Sequence, residues 1–70
     1  MNKYEVIIFY SKEDELFVAE VPELAGCMAH GKTNEEALKN VNEAMQLWLK
    51  TAAEFGDPIP QPKERRLMLA

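Results

Sequence analysis

A cysteine and a histidine three residues apart are the first candidates for chemistry in this 70-residue chain. Cys27 and His30 are the only residues of their types, and both lie in the stretch VPELAGCMAHGKT, residues 21–33. They could form a thiolate with its general base, which requires hydrogen-bond contact and a third group that orients the base. They could also supply two ligands of a structural zinc, but such a site needs four. The chemistry therefore depends on whether the backbone brings both side chains together.

The residues that flank Cys27 and His30 indicate that the backbone does not bring the two side chains together. Residues 27–30 lie between two glycines and suit a short strand, in which positions i and i+3 point to opposite faces. We expect Cys27 to be a small buried apolar residue, because its neighbours are apolar and free thiols usually pack that way. His30 precedes a predicted helix and is a candidate contact residue. The pair predicts no catalytic, metal-binding or cofactor-binding site.

Three consecutive acidic residues, Glu13, Asp14 and Glu15, occupy a polar turn. Carboxylates that hold catalytic metal ions converge on those ions, whereas three neighbours in one turn point apart. A charge run of this kind is typical of a solvated turn, and it could also contact a basic partner. A metal-dependent nuclease would need Asp14 to meet Glu5 or Glu20, and we keep that interpretation only as an alternative.

Length, charge and cysteine count narrow the class of protein. A chain of seventy residues predicts one domain, 1–70, with a core at 4–62 and a tail or short fourth strand at 63–70. Domains this small often depend on oligomerisation for their stability. The net charge of −4 disfavours a nucleic-acid surface and favours a basic partner. The N-terminal apolar run is too short to cross a membrane and lacks the features of a signal peptide, so we expect a cytoplasmic protein.

The pattern of apolar residues predicts an α+β fold, a small antiparallel-rich sheet with one helix packed on one face, in the order β-β-β-α-β. β-branched and aromatic residues mark strands at 4–10 and 16–21, joined by a short polar turn as an antiparallel hairpin. The third strand is 27–30. The segment RRLMLA, 65–70, could add a fourth.

Local signals define one helix over residues 34–54. Thr33 and Glu36 have the spacing of a capping box, in which the hydroxyl accepts from the Glu36 amide and the carboxylate returns to the Thr33 amide. Gly56 favours a left-handed stop, and the prolines of 57–62 form an extended spacer. Apolar residues at helical spacing form one buried stripe: Ala37, Val41, Ala44, Met45, Trp48 and Ala52, with Leu38 and Leu49 at its edge.

Strand alternation assigns the sheet two different faces. The face towards the helix is predicted to hold Tyr4, Val6, Ile8, Tyr10, Phe17, Ala19 and Val21. The opposite face carries an apolar centre of Ile7, Phe9, Leu16 and Val18 that no second helix covers. An uncovered patch of this kind predicts self-association or contact with another protein. Leu47 falls off the buried stripe of the helix and is a further candidate contact residue.

These stretches together resemble the N-terminal domain of HicB-like antitoxins over about residues 4–62. The family pattern runs from a strand ending in proline through an acidic residue to Gly-Cys, and then to a second glycine. A Thr or Ser with Glu-Glu-Ala opens the helix, and a Gly-x-Pro-Ile-Pro-x-Pro segment follows it. The corresponding positions here are Val21–Cys27, Gly31, Thr33, Glu35–Ala37 and Gly56–Pro62.

The resemblance implies a partial RNase H-like fold that lacks the acidic metal-binding set of the true enzymes. It also implies a non-enzymatic role, in which the protein binds and sterically masks a small basic, RNA-cleaving toxin of the HicA type. Full-length HicB antitoxins carry a C-terminal DNA-binding domain, and because this chain ends at Ala70, we predict no DNA binding from it. The alternative within the same fold is a homo-oligomeric regulatory or adaptor protein, as a dimer or tetramer, without a toxin.

Overall fold

Three strands and one helix make up the computed structural model, which describes residues 4–61. Strand β1 is Ile7–Ser11, β2 is Leu16–Glu20 and β3 is Met28–Gly31, and helix α1 is Asn34–Phe55. The strands form one antiparallel sheet in the order β1-β2-β3, so β2 is central. This arrangement confirms the predicted α+β fold. The fourth strand predicted at 65–70 lies outside the described residues.

Strand β1 begins three residues later than the sequence predicted, because its partner strand ends early. Ile7 pairs with Glu20, the last residue of β2. The chain then turns at Val21, whose amide donates to the carbonyl of Cys27 at 3.0 Å, so residues 4–6 have no strand partner on β2. The amide of Glu5 donates instead to Oε1 of Glu23 at 2.9 Å.

Both predicted caps of α1 are present, although one hydrogen bond differs from the expected one. Thr33 Oγ1 accepts from the Glu36 amide at 3.0 Å. The Glu36 carboxylate returns to the amide of Lys32, at 2.8 Å, rather than to that of Thr33. At the other end Gly56 has φ 69°, and the Asp57 amide donates to the carbonyl of Ala52 at 2.8 Å. This bond, which spans five residues, is the mark of a Schellman motif, and it ends the helix one residue later than predicted.

The core lies between the sheet and α1. Its largest fully buried side chains are Val21, Leu24, Val41 and Met45, and Tyr4, Val6, Ile8, Phe17 and Trp48 pack around the buried cluster. The helix lies mainly over β3 and least over β1. Tyr10, which we expected to face the helix, is therefore half exposed, and it packs edge-on against Phe17 with ring centroids 5.2 Å apart.

Two glycines fix how the helix and the loop before β3 approach the sheet. Gly26 has φ +75° and is the third residue of the turn closed by the Cys27 amide and the Leu24 carbonyl, where a type II turn needs a positive φ. Gly31 does not simply break β3, as predicted, but is its last residue. A Cβ at Gly31 would lie 2.7 Å from the carbonyl carbon of Glu36 and closer still to the Ala37 amide nitrogen. The absence of a side chain is what lets α1 approach this closely.

Candidate functional site

Cys27 and His30 point to opposite sides of the sheet, as the strand spacing predicted. Cys27 belongs to the buried core, and its burial raises the pKa of the thiol above the ordinary value of 9.0. A neutral, enclosed thiol is a poor nucleophile. His30 is exposed on the other face, and its carbonyl accepts from Nδ2 of Asn40 at 2.7 Å. Within residues 4–61, no three His, Cys, Asp or Glu side chains group closely enough to hold a metal ion.

The acidic turn is a solvated loop at one end of the hairpin. Lys12 through Glu15 are all exposed, and Ser11 Oγ donates to Oδ2 of Asp14 at 3.1 Å. Asp14 lies beyond one end of β2, whereas Glu20 is at the other end. Roughly 13 Å of strand, at about 3.3 Å per residue, separates the two ends. The convergence of Asp14 with Glu20, one of the two pairings that a nuclease could use, is therefore absent. Glu5, the other candidate partner, precedes β1 at the Glu20 end of the sheet, since Ile7 pairs with Glu20.

The outer face of the sheet exposes part of its apolar surface. Ile7 and Phe9 are 41% and 44% exposed, and Leu16 is half-buried. Val18 differs from the expectation that it would be uncovered, since it is only 4% exposed. The register explains the difference: Val18 is on the central strand, between Phe9 on β1 and His30 on β3, and these two neighbours shield it.

A second apolar surface is a cleft of about 470 Å³ between α1, the start of β3 and the chain after the helix. Leu47, predicted to lie off the buried stripe, is 65% exposed and forms one wall, and Met28, 48% exposed, stands on the β3 side. The remaining lining residues are Gly26, Cys27, Ala44, Trp48, Thr51, Ala52, Asp57 and Pro58. The sequence alone does not indicate this cleft, because its walls come from three separate segments of the chain.

Two hydrogen bonds position the segments around the cleft. The indole Nε1 of Trp48 donates to the carbonyl of Ala25 at 2.9 Å and fixes the loop before β3 against the helix. The hydroxyl of Tyr4 donates to the carbonyl of Pro60, which holds the segment after α1 against the residues that precede β1. One residue in the sequence indicates this arrangement. Trp48, an aromatic residue whose indole N–H can donate a hydrogen bond, lies on the otherwise aliphatic stripe of α1.

No helix within residues 4–61 is both long enough and apolar enough to cross a membrane.

Comparison with known proteins identifies the relatives of the chain. The family of HicB-like antitoxins of bacterial toxin–antitoxin systems matches residues 4–68. A UPF0150 protein of Thermoplasma acidophilum is 41% identical over 59 residues, 84% of each chain. One from Synechocystis is 41% identical over 54 residues, 77% of this chain and 74% of the relative. One from Helicobacter pylori is 47% identical over 38 residues, about half of each chain. No solved structure gives a significant match.

Proposed function

The chain belongs to the HicB-like antitoxin family of bacterial toxin–antitoxin systems, and from this premise we propose that it is a non-enzymatic module that binds and masks a small basic toxin. The toxin we propose is an RNA-cleaving protein of the HicA type. The match over residues 4–68 carries the proposal, because it covers nearly the whole chain. The protein would act in the cytoplasm, and its net charge of −4 disfavours direct contact with DNA.

Charge supports a basic partner. Twelve acidic residues against eight Lys and Arg give the chain its net charge of −4. Three of the acids, Glu13, Asp14 and Glu15, are exposed together in the hairpin turn. Opposite net charges steer two proteins together and raise the association rate, most strongly at low salt. We therefore expect the turn to speed the encounter rather than to supply most of the affinity.

The chemistry of the described residues supports masking rather than catalysis. The only thiol is buried with a raised pKa. Asp14, the carboxylate that a nuclease would need, is separated from Glu20 by the length of β2. Steric inhibition needs only an accessible surface that fits the toxin, and the chain offers two apolar surfaces, the outer sheet face and the cleft.

The outer sheet face favours self-association, whether or not a toxin is bound. Ile7 and Phe9 expose apolar surface beside the half-buried Leu16 and the shielded Val18. A second copy that covers this face would remove that surface from water, and each Å² of apolar surface buried contributes about 25 cal/mol. We propose a homo-oligomer, a dimer or tetramer, formed through this face, with His30 at its rim. A homo-oligomeric adaptor without a toxin would use the same face.

Co-expression with the small basic protein encoded beside the gene tests the antitoxin role. We expect the two to co-purify and to remain together on size exclusion, with an apparent affinity that weakens as salt is raised. If the neighbouring reading frames encode no small basic protein, or if none binds at micromolar concentration, the antitoxin role is wrong and the adaptor remains.

Light scattering on the purified chain tests self-association separately. We expect a mass above that of the monomer, and Phe9→Asp should reduce it to the monomer because a charge would then be buried at the interface. The matched control is Leu38→Asp, at an equally exposed leucine on the helix. A monomeric wild-type chain, or equal effects of the two substitutions, would contradict an interface on the outer sheet face.

A further inference from the structure

We propose that the cleft beside α1 is the docking site of the basic partner and that it binds an extended segment of that partner, which adds as a strand to the edge of β3 that no strand within residues 4–61 covers. The inference rests on the proposed function, since the partner is the same small basic protein. It goes further by naming the surface, the backbone groups and the kind of segment that the surface accepts.

The hydrogen-bond pattern of β3 leaves main-chain groups available for a further strand. The Val21 amide donates to the Cys27 carbonyl, so by alternation Ala29 and Gly31, which pair with Ala19 and Phe17, direct their main-chain groups towards β2. The alternate residues, Met28 and His30, direct theirs away from it. In agreement with this alternation, the outward-pointing carbonyl of His30 accepts a hydrogen bond from the Asn40 side chain on the helix.

Asn40 occupies only one of the outward-pointing groups. Within residues 4–61, no hydrogen bond is found for the outward N–H and C=O of Met28 or for the N–H of His30. These three groups lie on alternate residues, the spacing at which an added strand forms its main-chain bonds. Met28 also lines the cleft, so an added strand would lie along its rim.

The cleft provides an apolar site for a side chain of the added strand. Its walls include Leu47, Trp48 and Pro58, and its floor reaches the buried Cys27 and Ala52. A volume of about 470 Å³ is ample for one large aliphatic or aromatic side chain. Because side chains of a strand alternate, one residue would enter the cleft while its neighbours point to the rim.

Acidic residues in the cleft and beside it favour a basic segment. Asp57 lines the cleft, and Glu43 and Glu54 are exposed on the same ridge of α1 as Leu47, four residues before it and seven after. Between Glu43 and Glu54, Lys50 is the one cation on the helix. Three carboxylates against one ammonium leave an excess of negative charge on one side of the apolar cleft.

The same charges disfavour a second copy of this chain in the cleft. Pairing β3 of two copies would place both sets of carboxylates side by side, and like charges that face each other across an interface cost affinity. A Lys- or Arg-rich strand with one large apolar residue fits both the charge and the apolar centre. The two surfaces therefore have different occupants: a second copy on the outer sheet face and the basic partner in the cleft.

A pair of tryptophan substitutions tests the site with the co-expressed small basic neighbour as the probe. Thr51→Trp fills the cleft, because Thr51 is exposed and lines it, and Gln46→Trp places the same side chain on an exposed position that does not line it. Circular dichroism checks that both variants are folded. We expect at least a tenfold weaker affinity for Thr51→Trp and less than a twofold change for Gln46→Trp. Equal affinities for the two variants would overturn the proposal.

Amide hydrogen exchange on the wild-type complex provides a second measurement that needs no substitution. The amides of Met28 and His30 should exchange at least tenfold more slowly with the partner bound, because each gains an acceptor. Unchanged exchange at both amides would exclude strand addition. If the partner binds and neither readout responds, this docking site is wrong while the antitoxin role stands; if no basic partner binds, both are wrong.

Discussion

Replacing Gly31 with alanine should loosen the contact between the sheet and the helix. The added Cβ would lie 2.7 Å from the Glu36 carbonyl carbon and 2.9 Å from Ala37 Cα, far inside an ordinary van der Waals contact. These are backbone atoms in the first turn of α1, so no side-chain rotation can relieve the overlap. The helix start must move away from β3.

The expected loss of stability is large for a chain of this size. Overpacking in a well-packed region costs about 1–3 kcal/mol, and an overlap with backbone belongs at the upper end of that range. The free energy of unfolding of a 70-residue chain is about 4–10 kcal/mol at typical values per residue. A loss of about 3 kcal/mol would lower the melting temperature by roughly 12–24 °C.

Urea unfolding at a fixed protomer concentration, followed by the fluorescence of Trp48, measures the loss. Gly26→Ala is the matched control, since a Cβ at Gly26 meets no atom within 4 Å and only its φ of +75° opposes a side chain. That control should lose about 1–2 kcal/mol, the ordinary cost of the left-handed conformation. A Gly31→Ala protein as stable as Gly26→Ala would refute the close-approach argument.

Three further predictions concern single groups. Thr33→Ala should lower the free energy of unfolding by about 1 kcal/mol in urea, because the Glu36 amide loses its acceptor, whereas Thr33→Ser should keep most of the stability. Glu15→Gly should raise the free energy of unfolding by roughly 1 kcal/mol, because Glu15 has φ +54° and glycine adopts that conformation without strain; an unchanged or lower free energy would count against that strain. Cys27 should react with an aromatic disulfide only as fast as the chain opens. The free energy of unfolding should fall as the pH rises above about 9, because the unfolded thiol ionises at a lower pH than the folded one. Rapid labelling of the folded chain at neutral pH would contradict the burial of this thiol.

The elements set by local sequence could be predicted well. The helix has both of its ends encoded nearby, by Thr33 with Glu36 and by Gly56, so its bounds differ from the prediction by a single residue. The hairpin and the opposite directions of Cys27 and His30 follow from alternation in a strand, which needs no tertiary information.

Features that depend on neighbours in space were not predictable in the same way. Leu24 is one of the largest fully buried side chains, yet it lies in a loop with no periodicity to mark it. Alternation along β2 places Val18 on the outer face, but its neighbours shield it because β2 is the central strand. The alternation of one strand does not indicate the order of the strands in the sheet. The cleft depends on where α1 crosses the sheet, which the close approach at Gly31 determines.

The most direct test of the antitoxin role is the inhibition of RNA cleavage by the small basic protein encoded beside the gene. Cleavage of a labelled RNA is measured while increasing amounts of the purified chain are added, and the chain alone serves as a control. We predict that cleavage falls to background near a stoichiometric amount and that the chain alone cleaves nothing. Cleavage that persists in the presence of an excess of folded chain would contradict the account.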